Sequence, residues 1–345
     1  MPERPSDLIV PPMPGVANWS ENLFFLPYDH DKQVGAAMHL GRSAQDPAVW
    51  REYLHVFLPG GRVLASKVFG RRPDESDTLT GANGLSYECL EEFKRWRITF
   101  DGVARDTTMD ALLAAPLADG VAVRLRIELE AECLFEPWSA KTAAPSNQPL
   151  PSEPGDGTKV ISGGLAGGAR EHYEQVCRYR GTVTVGDEAP IEVDAKGFRD
   201  YSRGIRKFQS RSGHTLMSTS FPSGFAVGLY EVRGLDGTPN FTQAFTVRDG
   251  VPYDAETVQV PRFSKVAVPD DWTVVIRDDR GEEIVVEGSP AGSVPMTTLA
   301  PNDLINGLTG EPEGYTVLLS PSTVRCRGEQ GEGHLELSVL NSLIG

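Results

Sequence analysis

Alternation of apolar and polar residues is the dominant pattern along this chain. In the segment 121–135 every odd-numbered residue is apolar, and most even-numbered residues are charged. Because successive side chains of a strand point to opposite faces of a sheet, this pattern predicts a strand with one buried and one exposed face. The same pattern predicts further strands at 53–58, 63–69, 85–90, 95–100, 173–185, 191–198, 215–221, 225–232, 241–247, 272–276, 283–287, 315–319 and 335–340.

Helical periodicity is scarce by comparison. The segment 106–117 predicts one short helix with Asp106 as its N-cap. Turn residues separate the predicted strands, and Pro59-Gly60-Gly61 between two strand-like runs is a hairpin signal. Many strands at regular spacing with few helices are typical of an all-β sandwich or barrel.

A long segment without periodicity divides the chain. Residues 139–170 are rich in Pro, Gly, Ser and Ala. Such a composition favours a linker between an N-terminal β domain at 1–138 and a C-terminal β domain at 171–345. A lid over a pocket is the alternative, because long loops in compact proteins are often functional. The two parts contain similar numbers of predicted strands, which permits a tandem barrel.

Composition and charge indicate a soluble globular protein and argue against several types of partner. Hydrophobic residues make up 39% and charged residues 23% of the 345 positions, as in ordinary soluble globular proteins. The net charge of −15 argues against a nucleic-acid partner, because phosphate binding needs a basic surface. No apolar run approaches the length of a membrane span, and the first residues lack the features of a signal peptide. We therefore expect a cytoplasmic protein.

The sequence motifs give no sign of a cofactor. The cysteines form no Cys-x-x-Cys pair, and the six histidines show no metal-ligand spacing; the cysteines are Cys89, Cys133, Cys177 and Cys326. Three cysteines lie in strand-like runs, where a free thiol is usually buried as a small apolar group. No glycine-rich phosphate loop links a strand to a helix. We predict no metal and no cofactor, although ligands from distant positions could still assemble a metal site.

Charged and aromatic residues are concentrated in the segment 196–206, Lys-Gly-Phe-Arg-Asp-Tyr-Ser-Arg-Gly-Ile-Arg. If this segment is a strand, Arg199, Tyr201 and Arg203 share one face. Phe198, Asp200 and Ser202 then share the opposite face. Two interpretations remain open: a phenol held between two guanidiniums in a cavity, or a salt-bridge network around Asp200 at the end of a barrel.

The segment 197–206 resembles the signature Gly-x-Arg-Asp-His-Ser-Trp-Gly-x-Arg of tandem-lipocalin proteins related to carotenoid 1,2-hydratase and the AttH-like group. Segments 84–88, 93–102 and 173–183 resemble other patterns of these proteins, so the similarity extends from about residue 20 to 235. Kievitone hydratases and lipocalin-type Diels–Alderases are relatives. The resemblance implies two lipocalin-like antiparallel β-barrels in tandem with few short helices. It also implies an apolar cavity for a lipophilic small molecule and cofactor-free chemistry.

Two substitutions change the expected chemistry. Tyr201 stands where the family has His, and Arg203 stands where it has Trp. Tyrosine and arginine are weak acids, so protonation of an alkene is less suited to this chain than base or oxyanion chemistry. We expect Arg199 and Arg203 to lower the pKa of Tyr201, which would then act as a base or oxyanion stabiliser. This predicts a cofactor-independent lyase, dehydratase or isomerase acting on a lipophilic oxygenated molecule.

Further candidates surround this motif. His214 is a candidate base or an exposed turn histidine, and Glu88 is a buried acid or a surface residue. The predicted substrate contacts are Tyr87, Tyr230 and Trp96, with core packing as the alternative for Trp96.

Three positions of the motif have a predicted structural role. Asp200 is expected to pair with Arg206 or Arg180 and to fix the end of the strand, and Gly197 is expected to be part of the same framework.

Other functions remain open. The chain is alternatively a hydratase or cyclase of an isoprenoid or polyketide, a carrier of a lipophilic ligand, or an interaction protein with a vestigial cavity. An inward-facing cluster of Arg199, Tyr201 and Arg203 would favour catalysis, whereas a purely apolar cavity would favour a carrier. A homodimer is compatible with the sequence.

Overall fold

The computed structural model describes residues 7–8, 19–43, 46, 48–71, 78–80, 83–117, 120–138, 171–205, 211–262, 270–299 and 303–344. The predicted linker or lid at 139–170 and the predicted structural residue Arg206 lie outside these residues.

The first sheet is a closed antiparallel barrel. Its strands are β1 (Trp19–Asp29), β2 (Val34–Arg42), β3 (Val49–Leu58), β4 (Arg62–Arg71), β5 (Thr78–Thr80), β6 (Ser86–Glu91), β7 (Arg95–Thr108), β8 (Val121–Cys133), β9 (Glu171–Val185) and β10 (Ile191–Ile205). They lie in the order β4-β3-β2-β1-β10-β9-β8-β7-β6-β5, and pairing of β4 with β7 closes eight of them into a ring. This sheet confirms the predicted barrel.

The second sheet has a similar arrangement of antiparallel strands. Its strands are β11 (Gly213–Ser220), β12 (Ala226–Arg233), β13 (Pro239–Arg248), β14 (Val251–Gln259), β15 (Trp272–Arg277), β16 (Glu283–Pro290), β17 (Val294–Leu299), β18 (Asp303–Asn306), β19 (Tyr315–Cys326) and β20 (Glu329–Leu340). Their order is β16-β15-β14-β13-β12-β11-β20-β19-β17-β18, and β16 also pairs with β19, which makes the sheet ring-like.

Helical structure is minor, as the sequence predicted. Short 3-10 turns lie at Pro59–Gly61 and Asn341–Leu343, and α1 spans Met109–Ala114. The helix is shorter than predicted and its N-cap is Thr108, whose side chain accepts a hydrogen bond from the N–H of Ala111. Asp106 instead remains in β7 and forms an ion pair with Arg62. None of the helices in the described ranges is long and apolar enough to cross a membrane.

The boundary between the two sheets differs from the predicted one. Strands β9 and β10, which the sequence assigned to the C-terminal half, pair with β8 and β1 of the first barrel. The sheets therefore divide between β10 and β11, not at 139–170. The physical reason is closure: without β9 and β10, nothing pairs with the facing edges of β8 and β1.

Apolar packing joins the two sheets. Phe24, Tyr53 and Phe198 on the outer face of the first barrel pack in one cluster with Leu216 and Val317 of the second sheet. The first barrel has a separate interior core. Apolar side chains thus occupy both faces of β1 and β10, and the outer face is not a solvent face.

Two buried histidines lie near this junction. His55 forms a hydrogen bond through Nε2 with Asn306 Oδ1 at 2.9 Å. Neither ring nitrogen of His334 has a hydrogen-bond partner among the described residues. Burial lowers the pKa of both side chains to about 4, against smaller opposing contributions from Asn306 and Glu336.

Acid is therefore expected to destabilise the fold. The unfolded chain protonates histidine below about pH 6.5, so between that pH and about pH 4 it binds more protons than the folded chain. Stability thus falls as the pH falls through this window, by about 2–4 kcal/mol for each histidine. Replacing His334→Met is expected to flatten the dependence of the free energy of unfolding on pH. Urea denaturation at several pH values measures the slope, and an unchanged slope would contradict the prediction.

Candidate functional site

A cavity of about 160 Å³ lies between the two sheets. Strands β1, β2, β3, β9 and β10 contribute one wall, and β11, β12 and β17 to β20 contribute the other. We call it the inter-sheet cavity. Its apolar lining includes Phe24, Leu216, Met296 and Val317. Its volume is close to the roughly 150 Å³ that encloses one benzene molecule, and below the usual range for drug-sized ligands.

The pleat of β10 determines which motif residues reach this cavity. Asp200 and Ser202 line it. The alternate residues Arg199 and Tyr201 point into the first barrel, where they are buried. The predicted sharing of faces is therefore correct, but the face that meets the cavity is the one that carries Asp200.

His172 and Asp200 in the cavity wall form a polar cluster with the neighbouring Glu174. The Nε2 atom of His172 forms a hydrogen bond with Asp200 Oδ2 and lies 3.6 Å from Glu174 Oε1. Glu174 is fully buried. One donor atom from each residue lies within 4.8 Å of the others, a spacing that would allow a metal ion among the described residues. The cluster can therefore hold a proton-transfer pair or a divalent ion.

A second histidine–carboxylate pair comes from the other sheet. His214 Nε2 lies 2.6 Å from Glu336 Oε1, and His214 Nδ1 lies 2.7 Å from Ser338 Oγ. Because Ser338 Oγ accepts a hydrogen bond from the backbone N–H of His214, its own proton is directed to Nδ1. The ring proton then lies on Nε2 and is donated to Glu336. Burial lowers the pKa of His214, although Glu336 opposes this, so the imidazole is neutral near pH 7.

Aromatic side chains connect these pairs. The ring centre of Tyr230 lies 5.6 Å from that of His172 and 5.7 Å from that of His214. On the β2–β3 wall, His39 stacks on Tyr53 at 4.7 Å. Burial raises the pKa of Tyr53, with Glu336 and Asp200 adding to the effect, so its phenol stays protonated. The cavity thus combines flat aromatic walls with hydrogen-bond donors and three carboxylates, those of Asp200, Asp303 and Glu336.

The family model for a domain of unknown function, DUF7064, matches residues 7–341. The chain belongs to the DUF7064 family. Among curated proteins, none matches the chain significantly in sequence.

Solved structures share the fold of this DUF7064 protein. A protein provisionally named AttH from Nitrosomonas europaea has a TM-score of 0.54 and 14% identity, with 96% of this chain and 100% of that chain covered. CghA with Sch210972 has a TM-score of 0.51 and 10% identity, covering 94% and 89%. Kievitone hydratase from Nectria haematococca has a TM-score of 0.51 and 13% identity, covering 93% and 88%. The resemblance predicted from the sequence motifs is confirmed.

The DUF7064 fold places Tyr201 away from the inter-sheet cavity. Its hydroxyl donates to Glu21 Oε1, and Arg203 Nη1 lies 3.3 Å from the same hydroxyl. Burial and the Glu21 carboxylate raise the pKa of Tyr201 well above its usual value and outweigh Arg203, which acts in the opposite direction. The prediction of a lowered pKa is therefore wrong. The aromatic ring also stacks on Tyr173 at 4.8 Å in the barrel interior.

Arg199 is also buried in the interior of the first barrel, where its contacts are structural. It forms a buried ion pair with Asp7 and donates to Gln175 Oε1 at 2.7 Å. Its guanidinium lies over the ring of Trp96 at 4.9 Å. The described lining of the cavity does not include Arg199.

The remaining candidate residues lie either in the inter-sheet cavity or in the first barrel. His214 and Tyr230 line the inter-sheet cavity. Tyr87 and Trp96 are buried in the core of the first barrel, and the Trp96 indole donates to Asp7 at 3.2 Å. The side chain of Glu88 is 42% exposed and pairs with Arg97. Of these residues, only the two cavity residues are placed to meet a ligand there.

Of the residues with a predicted structural role, Gly197 has one in the structure, whereas Asp200 does not form the predicted ion pair with Arg180. A Cβ on Gly197 would lie 2.1 Å from the Leu26 carbonyl oxygen, so the close approach of β10 to β1 requires glycine. Arg180 lies 3.7 Å from Asp194 on the outer surface, and Asp200 binds His172 in the cavity wall. The sequence predicts Asp200 on the face opposite the cavity, whereas in the structure Asp200 lines the cavity.

Sequence reasoning missed His172, Glu174 and Glu336. A signal for the first two was available, because the short turn between β9 and β10 fixes an antiparallel register that places His172 opposite Ser202 and Glu174 opposite Asp200. No local signal pointed to Glu336, which lies 122 residues from its partner His214.

Proposed function

We propose that this protein is a cofactor-independent enzyme that performs acid–base catalysis on a small, lipophilic, oxygenated molecule in the inter-sheet cavity. The proposed reaction class is a lyase, dehydratase or isomerase. The observation that carries the proposal is the presence of two histidine–carboxylate pairs, His172–Asp200 and His214–Glu336, in the wall of one cavity that apolar and aromatic side chains also line.

The two pairs suit an elimination that needs a base and an acid together. The base removes a proton from the carbon beside the one that bears oxygen, the C–O bond breaks, and the acid protonates the departing oxygen to release water. Because Glu336 and Ser338 engage both ring nitrogens of His214, we assign proton acceptance to the Glu336 carboxylate of the His214–Glu336 pair, which lines the cavity. His172–Asp200 is then the donating pair. The reverse sequence adds water to a double bond.

Phenols in the wall suit the orientation of an oxygenated substrate. Tyr53 keeps its proton and can donate a hydrogen bond to a carbonyl or hydroxyl oxygen. Tyr230 contacts both histidine rings and offers an aromatic surface to the substrate. The volume of about 160 Å³ favours a single ring or a short chain in the enclosed part.

The similar structures support this choice of substrate class. Kievitone hydratase is named for the hydration of a small molecule, and CghA was solved with Sch210972. Tyr201 is not the base in this reaction, and Arg199 and Arg203 do not support it as one, because burial in the barrel interior keeps the Tyr201 phenol protonated.

The test begins with the ligand that the protein retains. Native mass spectrometry of protein purified from its host identifies the ligand, and incubation with that compound and its hydrated and dehydrated forms measures turnover by liquid chromatography. Gain or loss of water, or isomerisation, supports the proposal. Unchanged release of the ligand indicates a carrier and contradicts it. Activity that disappears with a chelator and returns with a divalent ion would place a metal at His172, Glu174 and Asp200, against cofactor independence.

A further inference from the structure

Two cysteines lie opposite each other in the first barrel, far apart in sequence. Cys133 on β8 is in register with Cys177 on β9, and the two Sγ atoms are 3.3 Å apart. Both are free thiols. Neither residue belongs to the inter-sheet cavity as described.

The strand register suits a covalent bond between them. The N–H of Cys133 donates to the carbonyl of Lys94, away from β9, so Cys133 and Cys177 form a non-hydrogen-bonded pair. In such pairs the Cα atoms are about 4.5 Å apart, at the short end of the range for disulfides. Closing to an S–S bond of about 2.05 Å requires the sulfur atoms to approach by only about 1.3 Å.

The two thiols differ in reactivity. Cys133 is partly exposed, whereas Cys177 is buried. The hydrogen bond from Cys177 lowers the pKa of Cys133, with a smaller contribution from the Arg199 guanidinium, while burial raises the pKa of Cys177. A partly exposed thiol with a lowered pKa beside a buried thiol is the arrangement of an attacking cysteine and a resolving cysteine.

We propose that Cys133 and Cys177 form a reversible disulfide when a peroxide oxidises Cys133. The Cys133 thiolate attacks one peroxide oxygen, the O–O bond breaks, and the departing hydroxide takes a proton to leave as water. The sulfur of Cys177, as its proton leaves, then attacks the resulting sulfenic acid, the S–O bond breaks and a second water leaves. The two thiols lose two electrons, and hydrogen peroxide is reduced to two molecules of water.

The other two cysteines are natural controls. Burial raises the pKa of Cys89 to about 12 and that of Cys326 to about 11, so both stay protonated near pH 7. Cys326 lies in the second sheet. The variants Cys89→Ser and Cys326→Ser are expected to form the same disulfide as the parent protein.

Peptide mass spectrometry after stoichiometric hydrogen peroxide tests the proposal on the full chain. The remaining thiols are alkylated under denaturing conditions, so that the reactive count falls from four to two. Expected results are a peptide cross-link between Cys133 and Cys177, a mass loss of two hydrogens, and full recovery with dithiothreitol. The Cys177→Ser variant is expected to retain a sulfenic acid on Cys133 that dimedone traps, and Cys133→Ser is expected to leave Cys177 reduced.

Three results would overturn the proposal. They are irreversible sulfinic acid on Cys133 of the parent protein, a cross-link through Cys89 instead, or four free thiols after oxidation. Circular dichroism checks that each variant is folded. If a variant is not folded, the cross-link map of the parent protein alone decides between these results.

Discussion

Replacing Asp200→Asn is expected to lower kcat by about 10²–10⁴-fold on the substrate that the protein retains. The amide preserves the shape of the side chain and can still accept a hydrogen bond from His172. It carries no negative charge, so it cannot stabilise the His172 imidazolium that donates the proton. Steady-state kinetics measures the effect, and KM is expected to change less than kcat because the loss falls on the transition state.

A matched control lies on the same strand. Asp194 on β10 pairs with Arg178 at 2.7 Å on the outer surface of the barrel, and its side chain is 50% exposed. Asp194→Asn makes the same chemical change away from the cavity and is expected to leave kcat unchanged.

A double variant tests whether the two residues act as one unit. His172→Gln combined with Asp200→Asn is expected to lose little more activity than either change alone, because members of a catalytic pair are strongly non-additive. Equal kcat values for Asp200→Asn, Asp194→Asn and the parent protein would remove His172–Asp200 from the mechanism.

The position of Asp200 shows how far alternation predicts a site. Period-two patterning correctly grouped Arg199 with Tyr201 on one face and Asp200 with Ser202 on the other. It could not say which face meets the cavity, because that depends on where the second sheet packs. An eight-stranded barrel is just wide enough for its own side chains, and here residues such as Trp96 fill it. The space for a ligand therefore lies outside the barrel.

Domain organisation was predictable in kind but not in position. The number and spacing of alternating segments predicted two β units, and both sheets are present. Composition placed the boundary at 139–170, yet β9 and β10 return to pair with β8 and β1. A composition break marks where the chain leaves regular structure, whereas strand partners depend on long-range pairing that no local signal records.

The chemistry of the site depends on the same long-range pairing. His214 was a candidate from its position after the motif, but its partner Glu336 comes from β20 at the far end of the sequence. The proposed site thus combines residues from both sheets, and only the residues near the motif could be found from the sequence.

Replacing Arg199→Met is expected to lower the free energy of unfolding by about 3–5 kcal/mol, because it leaves the Asp7 carboxylate buried without its counter-charge. Asp7 also accepts hydrogen bonds from Tyr173 Oη at 2.7 Å and from the backbone N–H of Phe93 at 2.6 Å. These neutral donors do not supply the missing charge. Denaturant unfolding followed by tryptophan fluorescence measures the change.

The matched control is Arg178→Met, which removes an arginine from an exposed pair on the same barrel and is expected to leave the unfolding midpoint nearly unchanged. The double variant Arg199→Met with Asp7→Leu removes both buried charges and is expected to recover most of the lost stability, since an apolar pair fills the space without an uncompensated ion. Equal midpoints for Arg199→Met and Arg178→Met would contradict the prediction. A lower midpoint for Arg199→Met than for Arg178→Met would show that Arg199 stabilises the position of β10. Because β10 carries Asp200, Arg199 would then also determine the direction in which the Asp200 side chain points.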